Sequence, residues 1–422
     1  MNAMTRTKIL ALFGAAAMAW TIAGCAPADP GGDPGAGGGG GGHATEQESP
    51  YVGQTEFVSA DGRNGQQTQD NERSDDQDAA APAAGGAADS NRTVEEGDIY
   101  QVMQDKHYVL NLNAYRGLQI IDFSDPANPD IIGRVRVTGS PVEMYQVGQR
   151  VFVLMNNWRG YYGVRDDLLP AQYQGGMVMA IDVSDAHNPT VTGQAQVPGY
   201  IRNSRLTRGG GQEALFVVAN GYQNGTTQTY VKSFSVSSQG RLEAKNDLEL
   251  GGYVSDIQAT PERLMVARNN YDGSNGHQTQ VSLVDISSPT GEMVEGDSVR
   301  VSGLVRNQFN MDIQGDVMRV VSGGTWRGTD TNHLETFNIS DIHDITPIDH
   351  DTFGDGQQLF ATLFQEDRAF FVTYLRRDPF HAFSIDAQGQ AEERSEFIVS
   401  GWNDYFKSVE GGTRLIGVGK NE

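Results

Sequence analysis

The sequence predicts an all-β chain folded as a β-propeller, and three observations carry that prediction. Gly117 to Pro129 (GLQIIDFSDPANP) recurs as Val178 to Pro189 (VMAIDVSDAHNP). Weaker copies of its centre, Ile121 to Ser124, follow at Ile181–Ser184, Phe234–Ser237, Val284–Ser287, Phe337–Ser340 and Phe383–Asp386, spaced 60, 53, 50, 53 and 46 residues apart. A period of that size marks a propeller or solenoid array. From Asp98 onward, β-branched and aromatic residues alternate with polar ones between turn clusters, and no stretch holds a helical period.

In chain order, residues 1–24 read as an export signal. Arg6 and Lys8 precede a short apolar run, and Ile22-Ala23-Gly24-Cys25 resembles the lipobox of bacterial lipoproteins, in which the cysteine is acylated. The apolar run is short for a membrane span, which needs about 20 residues. Lipid on Cys25 would hold the body at a membrane surface, and Ala26 after it points to the outer membrane. Residues 25–95 are rich in Gly, Ala and Asp and cannot repay their ordering entropy, so they are expected to form a disordered tether. Within them, Tyr51 to Ala60 alternates enough to be a stray strand.

Residues 96–422 form the expected propeller domain. Its first unit reads as strands Asp98–Gln104, His107–Leu112, Leu118–Phe123 and Ile131–Val137, and four strands per period make one blade. The repeated phrase falls at the end of the third strand. Asp122 and Asp182 sit between inward apolar neighbours, while Ser124-Asp125-Pro126 and Ser184-Asp185 carry side chains that bond the backbone in a tight turn. Calcium binding is disfavoured, because the equivalent positions become Ser235, Asn338 and Ser384. Six units are recognisable, and a seventh from about Trp402 is incomplete, so either an N-terminal strand closes the ring or the chain is C-terminally truncated, truncation being the expectation.

The phrase GLQIIDFSDPANPDIIGRVRVTG resembles the LVIVP-type propeller repeat of bacterial surface proteins. From about Val94 onward the chain is similar to secreted bacterial proteins with a C-terminal β-propeller distantly related to WD40 repeats, most clearly in VEEGDIYQV, RNQFNMDIQGDVMRVVSG and LFQEDRAFFVTYLRRDPFHAFSID. The resemblance implies fold and export and carries no catalytic motif.

A formal charge of -23 argues against nucleic-acid partners. The chain has no nucleophile elbow, no His-Glu-x-x-His and a single cysteine, so no catalytic, cofactor or metal residues are expected. The densest ligand-type cluster, Asp349-His350-Asp351 with Asp355, reads as a solvated loop, since neighbours on a strand would face opposite ways.

The connections between second and third strands are stretched in the second unit (Asn156 to Gly176), the third (Asn220 to Thr229), the fourth (Asn269 to Gln280) and the fifth (Gly323 to His333), and as loops they all fall on one face. They carry Trp158, Arg159, Tyr161, Tyr162, Arg165, Tyr173, Tyr222, Tyr271, Trp326 and Arg327. Exposed Trp, Tyr and Arg on loops suit recognition. The expected function is a lipid-anchored, non-catalytic module that binds a protein or polysaccharide of the cell envelope. The alternative is a propeller-type glycan hydrolase or lyase with its site at the central channel, for which convergent acidic and basic groups at the axis would speak.

Overall fold

The computed structural model describes residues 58–59, 92–137, 139–159, 174–272, 276–324, 331–374, 378–399, 402–409 and 414–420. Two short strands come first, β1 (Val58–Ser59) and β2 (Thr93–Glu95). Six antiparallel blades follow, each four strands in chain order. Blade 1 is β3 (Tyr100–Met103), β4 (Tyr108–Asn113), β5 (Gly117–Asp122) and β6 (Asp130–Val135). Blade 2 is β7 (Ser140–Val147), β8 (Arg150–Arg159), β9 (Gln174–Asp182) and β10 (Thr190–Val197). Blade 3 is β11 (Tyr200–Gly209), β12 (Gln212–Gln223), β13 (Thr226–Val236) and β14 (Leu242–Gly251). Blade 4 is β15 (Tyr253–Ala259), β16 (Arg263–Asp272), β17 (Gly276–Asp285) and β18 (Val294–Val301). Blade 5 is β19 (Met311–Gln314), β20 (Val317–Ser322), β21 (Asn332–Asn338) and β22 (Thr346–Phe353). Blade 6 is β23 (Gln358–Gln365), β24 (Arg368–Tyr374), β25 (Asp378–Ile385) and β26 (Ala391–Val399), and a two-stranded sheet of β27 (Trp402–Val409) and β28 (Arg414–Lys420) follows.

The turn chemistry expected of the repeated phrase is present. Asp122 Oδ1 accepts from Ser124 N at 2.8 Å, and Asp125 holds Ala127 N and the Asn128 amide at 3.1 and 2.8 Å. Asp182 and Asp185 repeat these bonds to Ser184, His187 and Asn188. Asp285 and Asn338 each hold the backbone N–H two residues on. The Ser124 bonds, backbone first, hold the Asp122 carboxyl below its ordinary range.

The core is a series of layers between successive sheets. Leu110 and Ile120 of blade 1 pack in one cluster with Met144, Val153 and Met179 of blade 2. Phe152 and Leu154 share the next cluster with Leu206, Leu215 and Phe234. The rhythm continues through Phe216 with Ile257, Leu283 with Met318, and Phe353 with Phe371. Strands such as β8, β12 and β20 bury both faces, which explains why residues such as Val151 to Met155 run continuously apolar.

Asparagines at the ends of second strands join neighbouring blades. Asn156 accepts from Ile201 N and donates to Ile201 O, both at 2.7 Å. Asn220 does the same to Val254, at 2.9 and 3.3 Å. Each amide mimics one rung of a β-ladder across a blade junction. Asn156→Ala would leave the N–H and C=O of Ile201 unpaired in a buried setting, each costing about 1–3 kcal/mol. Urea unfolding should therefore show a loss of about 2–4 kcal/mol, whereas a loss below that range would mean that water replaces the amide.

Candidate recognition face and axial cluster

Because strands alternate in direction, the connections between second and third strands share a face with the beginnings of the inner strands. The register shows this: Tyr200 pairs with Asn220, and Tyr253 pairs with Asn269. In blade 3 the connection expected as a loop from Asn220 to Thr229 is instead a projecting ribbon. β12 and β13 stay paired out to Gln223 and Thr226, and Asn224 (φ 51°) and Gly225 (φ 83°) close a two-residue turn. Asn-Gly accepts positive φ at both positions, and the flanking threonines favour strand, so the ribbon outcompetes a loop. In blade 4, β16 and β17 pair out to Asp272 and Gly276.

Tyr222 stands on the blade 3 ribbon with 75% of its surface exposed, and Tyr115, on the equivalent hairpin of blade 1, is 92% exposed. Tyr253 opens β15, with the Arg202 guanidinium 5.7 Å from its ring centre. Of the other residues expected on this face, Trp158 and Arg159 pair with Gly175 and Gln174 at the base of the blade 2 hairpin, and Tyr271 pairs with His277. Tyr161, Tyr162, Arg165, Tyr173, Trp326 and Arg327 lie outside the described residues, as does Cys25.

Beneath this face, the inner strands carry a polar cluster. In β7, β11 and β15 the register slips by one residue, at Val142, Arg202 and Ser255. A bulge of this kind re-aims the side chains that follow it. Those are Glu143, Asn203 and Asp256, equivalent positions in three consecutive blades. β2 adds to the free edge of β11, pairing Glu95 with Leu206, and brings Glu96 alongside.

Arg205, 2% exposed, is the centre of the cluster. Its Nη2 lies 3.3 Å from Glu96 Oε1 and 3.1 Å from Ile257 O, its Nη1 donates to Ser204 O at 2.7 Å, and it also donates to Gln308 Oε1. Gln308 sits in a 3₁₀ turn, Gln308–Asn310, capped by Asn307. Its N–H donates to Asp256 Oδ2 at 2.9 Å, and Asn203 Nδ2 donates to Asp256 Oδ1 at 2.6 Å. On the other side, Glu143 accepts from Ser204 and from Tyr145 Oη at 3.3 Å.

Burial pushes the Glu143 carboxyl up to about 7, and Ser204 and Arg205 pull it back only in part. Burial likewise raises Asp256 to about 6 against the pull of Arg205. Burial works against the charge on Arg205, but Glu96, Tyr145 and Glu143 override it and hold the guanidinium above its ordinary value. The axis thus holds the convergent acidic and basic groups that the enzyme alternative calls for, and these groups bond to one another. Glu143 to Asn203 is 60 residues and Asn203 to Asp256 is 53, the same spacings as the turn motif. Applying that ruler to polar residues of the inner strands was the available signal.

Two expectations are corrected here. Asp349-His350-Asp351 is no solvated loop: it lies on β22, and His350 Nε2 is 3.0 Å from His333 Nδ1 across the pair. Polar residues on an outer strand look like loop composition when only sequence is read. In addition, the stretch assigned to the tether contributes β1, paired to β23, and β2, paired to β11.

The fold and face define a class: a β-propeller of four-stranded blades whose inner strands enclose a charged axial cluster. The profile of the family described as "Beta propeller domain" matches residues 89–228 and 212–422, and the chain belongs to that family. A relative, "Uncharacterized protein MJ1554" of Methanocaldococcus jannaschii, is 24% identical over 178 residues, covering 40% of this chain and 28% of the relative. The chain therefore matches less than a third of that relative's length. A solved structure from Bacteroides uniformis, described as a candidate 6-phosphogluconolactonase, covers 78% of this chain and 90% of its own at 10% identity and a TM-score of 0.35. That likeness carries no functional argument.

Proposed function

We propose that this chain is an envelope lipoprotein, held by lipid on Cys25 at the outer membrane, whose propeller is a non-catalytic recognition module for an envelope protein or polysaccharide. The observation that carries the reading is the projection of Tyr115 and Tyr222 from equivalent hairpins on one face, with 92% and 75% of their surfaces exposed. Aromatic rings offer large contact area at little conformational cost, which suits both glycan and protein partners. The self-satisfied axial cluster supports the same reading, because Arg205 spends its donors on the protein's own groups.

A second reading, an envelope glycan hydrolase or lyase, draws on one observation, the Glu143 carboxyl near neutrality in a buried polar setting. One experiment separates them. Full-length chain is mixed with isolated envelope polysaccharide and envelope protein fractions, and both sedimentation and glycan cleavage are followed. Tyr115→Ala/Tyr222→Ala should weaken binding at least about tenfold, equivalent to about 1.4 kcal/mol, with thermal stability kept. Cys25→Ser should release the chain from membranes. Binding unchanged in the tyrosine variant refutes the recognition face, and cleavage lost in Glu143→Gln supports the enzyme.

A further inference from the structure

Away from the axis, where blades 5 and 6 meet at their outer strands, three ligand-type side chains converge. One ligand atom from each of His381, Glu393 and Glu396 lies within 4.8 Å of the other two. The register explains how. His381 is directly opposite Glu396 in the β25–β26 pair, and the pairing slips between Ala382 and Phe383, so that Phe383 faces Glu393 and Arg394 is passed over. Residues two apart on a strand share a face. The bulge therefore turns Glu393, rather than Arg394, onto the face occupied by His381 and Glu396.

The hydrogen bonds of His381, which is 1% exposed, determine what its ring offers this cluster. Thr373 Oγ1 donates to Gln357 Oε1, an acceptor only, so the Thr373 hydroxyl proton is committed there. Thr373 Oγ1, 3.0 Å from His381 Nε2, must then accept from an Nε2–H. That places a proton on Nε2 and turns Nδ1 toward Glu393 Oε1 at 2.8 Å. A lone pair facing a carboxyl oxygen at this distance needs a proton or a cation between them. An outer hydrogen bond that fixes the far nitrogen of an imidazole is also the arrangement that orients metal-bound histidines.

An independent feature points the same way. On the adjoining strand β22, Asp349 Oδ2 accepts from Ala391 N at 2.8 Å, which clips the two outer strands together. Asp351, two residues on, has a buried Oδ2 with no hydrogen-bond partner among the described residues.

We propose that His381 Nδ1, Glu393 and Glu396 form a binding site for a divalent first-row transition metal of the zinc or manganese type. One imidazole with several carboxylates suits these ions, and the exposed glutamates leave coordination positions open to water.

Full-length chain freed of metal and titrated with Zn²⁺, and separately with Mn²⁺, tests the assignment by calorimetry and by the melting temperature. Saturable binding of one ion per chain is expected, with a rise in melting temperature as the ion is added. Glu396→Gln, on an exposed side chain, should weaken binding at least about tenfold while the ion-free chain melts as before, and Thr373→Val should weaken it about ten- to a hundredfold through the ring orientation. Glu392→Gln, on the opposite face of β26, should leave binding unchanged. Equal affinity in Glu396→Gln and the unaltered chain, or no saturable binding of either ion, overturns the proposal and leaves a proton between His381 and Glu393.

Discussion

Replacing Arg205 by methionine is expected to lower the stability of the propeller by about 3–5 kcal/mol at pH 8, the usual result of removing one partner from a buried ion network. The loss has three contributors. Glu96 loses its ion-pair partner, the carbonyls of Ser204 and Ile257 lose a donor, and Gln308 loses the contact that holds it beside the axis. The deficit should shrink at pH 5, where Glu143 and Asp256, raised to about 7 and about 6, carry protons and no longer need a counter-charge. Arg205→Lys should recover only part of the loss, since an ammonium cannot span four acceptors in different blades. Urea midpoints at the two pH values decide the matter, and a deficit that is the same at both would show that Arg205 acts through packing alone.

Glu143→Gln is expected to flatten the pH dependence of stability between about pH 4.5 and 7. The sign follows from proton binding. The folded protein holds a proton on Glu143 up to about pH 7, whereas the unfolded chain releases it near its ordinary value of 4.5. The unfolded state therefore binds fewer protons across this window, and stability present below it is lost as pH rises through it. The span corresponds to an effect on the order of 3 kcal/mol. Asp256, raised from 3.8 to about 6, contributes with the same sign over a lower window. The glutamine variant should therefore unfold at nearly the same urea concentration as the parent at pH 5 and at a higher one at pH 8. A parent and variant that keep parallel profiles would show that Glu143 does not hold its proton.

The two variants also report on function. A propeller whose axial charges serve only to lock three blades and the incoming segment together should keep its recognition face when Glu143 is neutral. The ribbon that carries Tyr222 is built by its own ladder and Asn-Gly turn.

The blades were legible in the sequence because their determinants are local. An aspartate that caps its own turn, as Asp122 and Asp182 do, leaves the same signature wherever it recurs, and alternation along a strand is a property of neighbouring residues. The tyrosine-bearing hairpins were legible in part. Their aromatics stood out, but Tyr115 was passed over because its connection is short, and the blade 3 ribbon was read as loop because pairing between β12 and β13 extends past the blade body.

What no local pattern could reveal is which charges meet. Glu96, Glu143, Arg205, Asp256 and Gln308 come from a leading segment, three inner strands and a 3₁₀ turn, and each alone looks like a solvated residue. His381, Glu393 and Glu396 converge only because a bulge at Arg394 turns Glu393, rather than Arg394, onto the face of the histidine. By itself the sequence determined the strand rhythm, the turn chemistry and the number of recognisable units, since these rest on interactions within a few residues. Only the tertiary structure decided the axial cluster and the rim cluster, because both depend on the packing of blades about an axis and on single-residue slips in register, which change the direction of a side chain without changing its identity.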